Sequence, residues 1–137
     1  MKIDINELEE VVASKGGSKH PKCTLNRGGY IVFNNAFIKE KEMDRSKSLN
    51  LRAAKKEDKL IVAAIFFDRE DEGSFKLNSN KAGRMWFSGR NLFSQFGIKY
   101  EALVSKRQRL ILKPYFQYID GKNYLIIEIP LPKKILF

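Results

Sequence analysis

The chain has one cysteine, one histidine and one tryptophan in 137 residues, and no apolar run approaches the roughly 20 residues of a membrane-spanning helix. Each scarcity removes a class of function. Cys23 cannot form an internal disulfide, and together with His20 it leaves a zinc site two ligands short, so no metal and no cofactor is expected. A Ser–His or Cys–His pair would have to recruit His20, and neither a GKS/T phosphate loop nor a GxGxxG stands anywhere, so the chain reads as non-enzymatic. The opening MKIDINELEE has no basic segment leading into an apolar stretch, which points to a cytoplasmic protein with no membrane partner.

Acidic residues are also scarce, but only in one half. Residues 1–72 hold 14 basic and 13 acidic side chains, whereas residues 73–137 hold 12 basic ones against Glu101, Asp120 and Glu128 alone. Nearly all of the formal net charge of +10 is therefore C-terminal, together with 11 of the 16 aromatic residues. Lysine and arginine displace the counterions of a phosphate backbone, and aromatic rings stack on bases at about 1–3 kcal/mol each. That combination favours nucleic acid, DNA or RNA and single-stranded before double-stranded, since no segment carries the charge pattern of a recognition helix. The alternative is a basic regulatory protein whose partner is an acidic protein.

What the chain does have is enough apolar character, 43%, for one core. Asp4 followed by Glu7, with Ile5, Leu8, Val11 and Val12 on one face, predicts a capped amphipathic helix over about 5–14. SKGGSKHPK (14–22) has nothing to bury and reads as a mobile basic linker, so residues 1–22 are set apart from a single domain over 23–137. Within that domain GGYIVF (28–33), SLNLRAA (48–54), KLIVAAIFF (59–67), FKLN (75–78), RMWF (84–87), IKYEALV (98–104), RLILKPYFQY (109–118) and NYLIIEI (123–129) read as strands, with KLIVAAIFF central. Asn34 or Asn35 caps a helix over 34–43, and Ser88 caps another over 89–96 that ends at Gly97. The acidic run DREDEG (68–73) reads as a solvated hairpin tip. The fold expected is α+β: a mostly antiparallel sheet of six or seven strands, two short helices and an appended N-terminal helix.

Two candidate sites follow. The Asp120-Gly121 pair predicts a type I′ hairpin that sets Ile119 opposite Lys122, Gln117 opposite Tyr124, Tyr115 opposite Ile126 and Lys113 opposite Glu128. Leu110, Leu112, Phe116 and Tyr118 then form the core face, leaving Tyr115, Tyr124, Gln117 and Lys113 outside with Lys106, Arg107 and Arg109 as a basic rim. Pro114 makes its strand an edge or a bulge there, and an edge would also allow a homodimer. The second candidate is the helix start at Ser88, where Arg84 and Arg90 flank free N–H groups that attract anions. Trp86 and Phe87 point to opposite faces beside it, one buried and one available to stack on a base.

Overall fold

Every second side chain along most strands is apolar, and the register of their pairing decides which of two layers each strand joins. The computed structural model describes residues 20–104 and 108–131; the expected N-terminal helix lies outside the described residues. Among the described residues ten strands pair, all antiparallel, in two sheets of five. The first contains β1 (Cys23–Leu25), β2 (Tyr30–Phe33), β6 (Asn78–Ser79), β7 (Met85–Ser88) and β8 (Leu110–Leu112), in the order β6-β7-β2-β1-β8. The second contains β3 (Ser48–Lys56), β4 (Lys59–Phe67), β5 (Phe75–Lys76), β9 (Tyr115–Ile119) and β10 (Lys122–Pro130), in the order β5-β3-β4-β10-β9.

The inner faces of both sheets belong to one apolar cluster. Cys23, Leu25, Ile31, Phe33, Met85 and Phe87 of the first sheet are buried with Leu49, Leu60, Val62, Leu125, Ile127 and Ile129 of the second. Aromatic contacts cross between the layers: Phe33 meets Phe66 edge-on at 6.2 Å between centroids, and Phe75 meets Phe87 edge-on at 6.4 Å. Full burial of side chains of this size contributes about 1.5–3 kcal/mol each, and it sets the inward face of every strand.

The expectation of one sheet of six or seven strands is therefore corrected to two sheets of five. The division falls at Lys113-Pro114. Leu112 pairs with Cys23 in the first sheet, whereas Tyr115 pairs with Ile126 in the second. Proline has no N–H to donate to a ladder, so the stretch read as one strand over 109–118 turns a corner and changes layers. The hairpin register holds for Ile119↔Lys122, Gln117↔Tyr124 and Tyr115↔Ile126, but the ladder stops before Lys113 reaches Glu128. Leu110 and Leu112 face the core from the other layer, and Tyr118 is 74% exposed rather than inward. Asp120 and Gly121 have φ of 51° and 78°, the pair of positive values that a type I′ turn requires. KLIVAAIFF is β4, the middle strand of its sheet, and it buries alternate residues rather than all of them.

The described residues form two short α-helices. In α1 (Asn35–Glu40) the Asn34 side chain accepts from the Phe37 N–H, and Phe37 and Ile38 are buried. Asn34 also ties down the end of the stretch expected as linker: its Oδ1 accepts from Lys22 N at 2.9 Å and its Nδ2 donates to His20 O at 2.7 Å. The remainder of that stretch, through residue 19, lies outside the described residues. The second helix, α2 (Arg90–Gln95), ends as expected at Gly97, whose φ is 67°. Its start differs, because Ser88 stays in β7 opposite Tyr30 and Gly89 becomes the N-cap. A side chain at Gly89 would lie 2.9 Å from the Phe93 ring and 3.1 Å from Gly29 O, so only glycine fits there. Residues 98–104, expected as a strand, instead contain a 3-10 turn at Tyr100–Ala102. Tyr100 packs on Phe93, with ring centroids 5.9 Å apart, and local bonds from Ala102 N to Lys99 O and from Leu103 N to Tyr100 O close the turn.

Candidate functional site

The outer face of the first sheet is bounded by two turns of the same design. Asn26-Arg27-Gly28-Gly29 joins β1 to β2, and Asn80-Lys81-Ala82-Gly83 joins β6 to β7. In each, the glycine N–H donates to the asparagine carbonyl at 3.1 Å, and the asparagine N–H donates to the carbonyl four residues on, Tyr30 O at 3.0 Å and Arg84 O at 3.1 Å. Gly29 and Gly83 have φ of 84° and 85°, which an L side chain adopts only with strain. In each turn the asparagine Oδ1 is also engaged: Asn26 Oδ1 accepts from Tyr30 N at 3.1 Å, and Asn80 Oδ1 accepts from Ala82 N and Arg84 N at 3.1 and 3.0 Å. Both carboxamides are fixed by these bonds, with their Nδ2 ends left as the donors of the turn.

Between the turns lies a cleft of about 230 Å³ lined by Asn26, Tyr30, Val32, Asn80, Arg84 and Trp86. Alternation explains the set. Ile31, Phe33, Met85 and Phe87 point into the core, so Tyr30, Val32, Arg84 and Trp86 point out, and Val32 pairs directly with Trp86. This resolves which of the two adjacent aromatics is free: Phe87 is fully buried and Trp86 is half-buried on the outer face. Arg90 extends the site. Its guanidinium carbon lies 5.5 Å from the Tyr30 ring centroid, and its Nε donates to Gly28 O at 2.8 Å. The lining therefore combines two aromatic rings, an arginine and two amide donors, with no carboxylate among its six residues. It suits a flat ring beside an anion.

Of the ten residues singled out from the sequence, the eight described ones divide over the two layers and the corner between them. Arg84, Trp86, Ser88 and Arg90 come together on the outer face of the first sheet, Ser88 opposite Tyr30. The free amides expected there are engaged, however: Gly89 N donates to Gly29 O at 2.8 Å and Arg90 N to Ser88 Oγ at 3.4 Å. Arg109, exposed, sits just before β8 of the same sheet, where one register step beyond Leu25↔Leu110 corresponds to Asn26. Lys113 is exposed at the corner between the layers. Lys106 and Arg107 lie outside the described residues.

Tyr115 and Tyr124 belong to the second sheet and face away from its core, on the far side of the molecule's apolar cluster from Trp86. Tyr115 is also committed to an acid: its hydroxyl donates to Glu128 Oε2 at 3.3 Å, and Lys59 Nζ meets Glu128 Oε1 at 3.1 Å. Partial desolvation first, then the Glu128 charge and hydrogen bond, push Tyr115 above the usual phenol value. The Glu128 hydrogen bond and charge likewise push Lys59 up. Among the described residues there is no group of three or more His, Cys, Asp or Glu placed to hold a metal ion, and no helix long and apolar enough to cross a membrane.

Tyr30, Asn26 and Asn80 escaped the sequence reading. Their signals were present: GGYIVF alternates so that Tyr30 and Val32 share a face, and NRGG and NKAG are the same Asn-x-x-Gly turn written twice. Tyr30 and Asn26 lie in the nearly neutral half of the chain, which is why charge counting passed over them. Comparison with protein-family models, with curated proteins and with solved structures finds no match for this chain.

Proposed function

We propose that the protein is a non-enzymatic binder of nucleic acid, single-stranded in preference to duplex, and that the strand lies on the outer face of the first sheet. The observation that carries this reading is the pairing of half-buried Trp86 and Tyr30 with Arg84 and Arg90 around one cleft that has no lining carboxylate. Stacking on sheet aromatics is tolerant of sequence, and an arginine beside each ring meets the phosphates between bases. A duplex would present stacked bases that the cleft cannot enter. The same reading takes the cytoplasm as the setting and leaves β9, an edge strand with no charged residue, as a route for two copies to pair.

The test uses the protein's only tryptophan. Trp86 fluorescence is titrated with single- and double-stranded oligonucleotides at two salt concentrations. Quenching by single strands that weakens steeply with salt is the expected result. Binding to acidic polypeptides in place of oligonucleotides would replace this reading with that of an acidic protein partner.

A further inference from the structure

We infer that the cleft selects bases carrying keto oxygens, thymine or uracil, over adenine; this rests on the single-strand reading above. The argument is the hydrogen-bonding sign of the side chains. Asn26 and Asn80 stand at the two ends of the cleft, and in both the carboxamide oxygen is directed into the turn that holds it, accepting from Tyr30 N in the first and from Ala82 N and Arg84 N in the second. What each asparagine offers a ligand is the Nδ2 donor. Arg84, between Asn80 and Trp86 in the lining, has donors only. The charged and amide groups therefore present donors from both ends to whatever ring rests against Trp86 and Tyr30.

A thymine or uracil ring has acceptors at O2 and O4 and matches that pattern. Adenine puts its exocyclic amine, a donor, on the same edge, where it would meet a second donor with both groups partly desolvated. The size agrees with one ring: about 230 Å³ is below the range of a drug-sized ligand pocket, so it holds a single base with its neighbours outside. The amides cannot rotate to exchange donor for acceptor, because reversal would leave Tyr30 N, or Ala82 N and Arg84 N, facing a donor inside a tight turn. This pre-set orientation distinguishes the cleft from a surface asparagine, which reads either base.

The substitutions Asn26→Asp and Asn80→Asp provide an isosteric test. Each retains the oxygen that accepts from the turn and replaces the Nδ2 donor with an acceptor. Affinities for short oligothymidylate and oligodeoxyadenylate are measured by Trp86 quenching, and the readout is the ratio between them. Added negative charge weakens both oligonucleotides, and self-stacking of the adenine strand is common to every variant, so neither alters the ratio. The wild type is expected to favour oligothymidylate about tenfold, and each aspartate variant to bring the ratio down toward one. A wild-type ratio near one, or a ratio unmoved by both variants, overturns the base preference while leaving single-strand binding intact. Absence of binding to either oligonucleotide removes the functional reading, and the base preference falls with it.

Discussion

Arg90 lies over the ring of Tyr30 and is pinned there by its bond to Gly28 O, which joins the start of α2 to the turn that opens β2. An arginine held over an aromatic ring by a second bond keeps its remaining N–H groups for a phosphate while losing little further rotamer entropy on binding. Arg90→Ala is expected to cost about 0.5–1 kcal/mol of stability, as an exposed cation–π pair does, and to lower the slope of log affinity against log salt by about 0.7 for a single strand. Denaturant unfolding and salt titrations measure the two effects. An unchanged salt slope would show that Arg90 serves Tyr30 alone.

Trp86→Ala is expected to weaken single-strand binding by about 1–3 kcal/mol, read by anisotropy of a labelled oligonucleotide since the fluorophore is lost. Tyr115→Ala and Tyr124→Ala should leave binding unaltered, because both rings lie on the other layer's outer face. The reverse outcome would move the site to the second sheet.

The contrast between these aromatics shows what the sequence could convey. Local order was legible: the Asp120-Gly121 turn, a helix cap at Asn34 or Asn35 and the Gly97 stop follow from neighbours in the chain. Partnership was not. β1 joins β8 and β4 joins β10 across long loops, and nothing in RLILKPYFQY fixes on which side of Pro114 the chain changes layers. A single sheet would have put Arg109 and Tyr115 on one strand. The observed corner sends Arg109 toward Asn26 and Tyr115 toward Glu128, so half of the expected site is separated from the other half by the core. IKYEALV deceived for a related reason: its alternation is that of a strand, but the contact of Tyr100 with Phe93 and the bonds from Lys99 and Tyr100 carbonyls close it into a turn.

Gly73 carries a prediction that no local pattern would suggest. A Cβ there would sit 2.5 Å from Leu49 N and 2.8 Å from Leu49 O, both backbone atoms of β3. Its N–H donates to Ser48 Oγ at 3.0 Å, and the Ser48 hydroxyl in turn donates to Arg69 O, so the acidic loop is laced down onto the strand. Gly73→Ala is expected to destabilise by about 1–3 kcal/mol through overpacking, and Ser48→Ala by a similar amount through the two backbone groups it leaves unpaired. Midpoints of urea unfolding decide; a neutral Gly73→Ala would mean that the loop moves freely off β3.

Burial pushes the Cys23 thiol far up, so in the folded protein it stays protonated and shielded. In the unfolded chain it ionises near its ordinary value of about 8.5. A raised folded value contributes stability in full below that pH and loses it as the pH climbs through and beyond it, by up to about 1.4 kcal/mol per pH unit for one proton. Lys59 and Tyr115 act in the same direction at higher pH, so the comparison is with Cys23→Ala, whose stability should decline less between about pH 8 and 10. Thiol reagents should label Cys23 only at the rate of unfolding. Rapid labelling of the native protein would contradict the burial.

The strongest test of where the ligand lies compares two variants of equal net charge. Arg84→Glu with Arg90→Glu changes the charge by four on the first sheet's outer face, and Arg52→Glu with Lys122→Glu makes the same change on the second's, where both residues are exposed and point away from the core. If attraction were a matter of total charge, the two double variants would lose affinity equally, because at physiological ionic strength both faces of so small a protein lie within a few Debye lengths of any bound strand. If the phosphates are seated beside Trp86 and Tyr30, the first variant loses two counterion-releasing contacts and the second loses none. The salt slope should then fall by about 1.4 for Arg84→Glu/Arg90→Glu and hold its wild-type value for Arg52→Glu/Lys122→Glu, with only a slight decline in the affinity of the second through long-range repulsion. Equal slopes in the two variants would reduce the cleft to a feature of the fold and leave only the chain's overall basicity to attract nucleic acid.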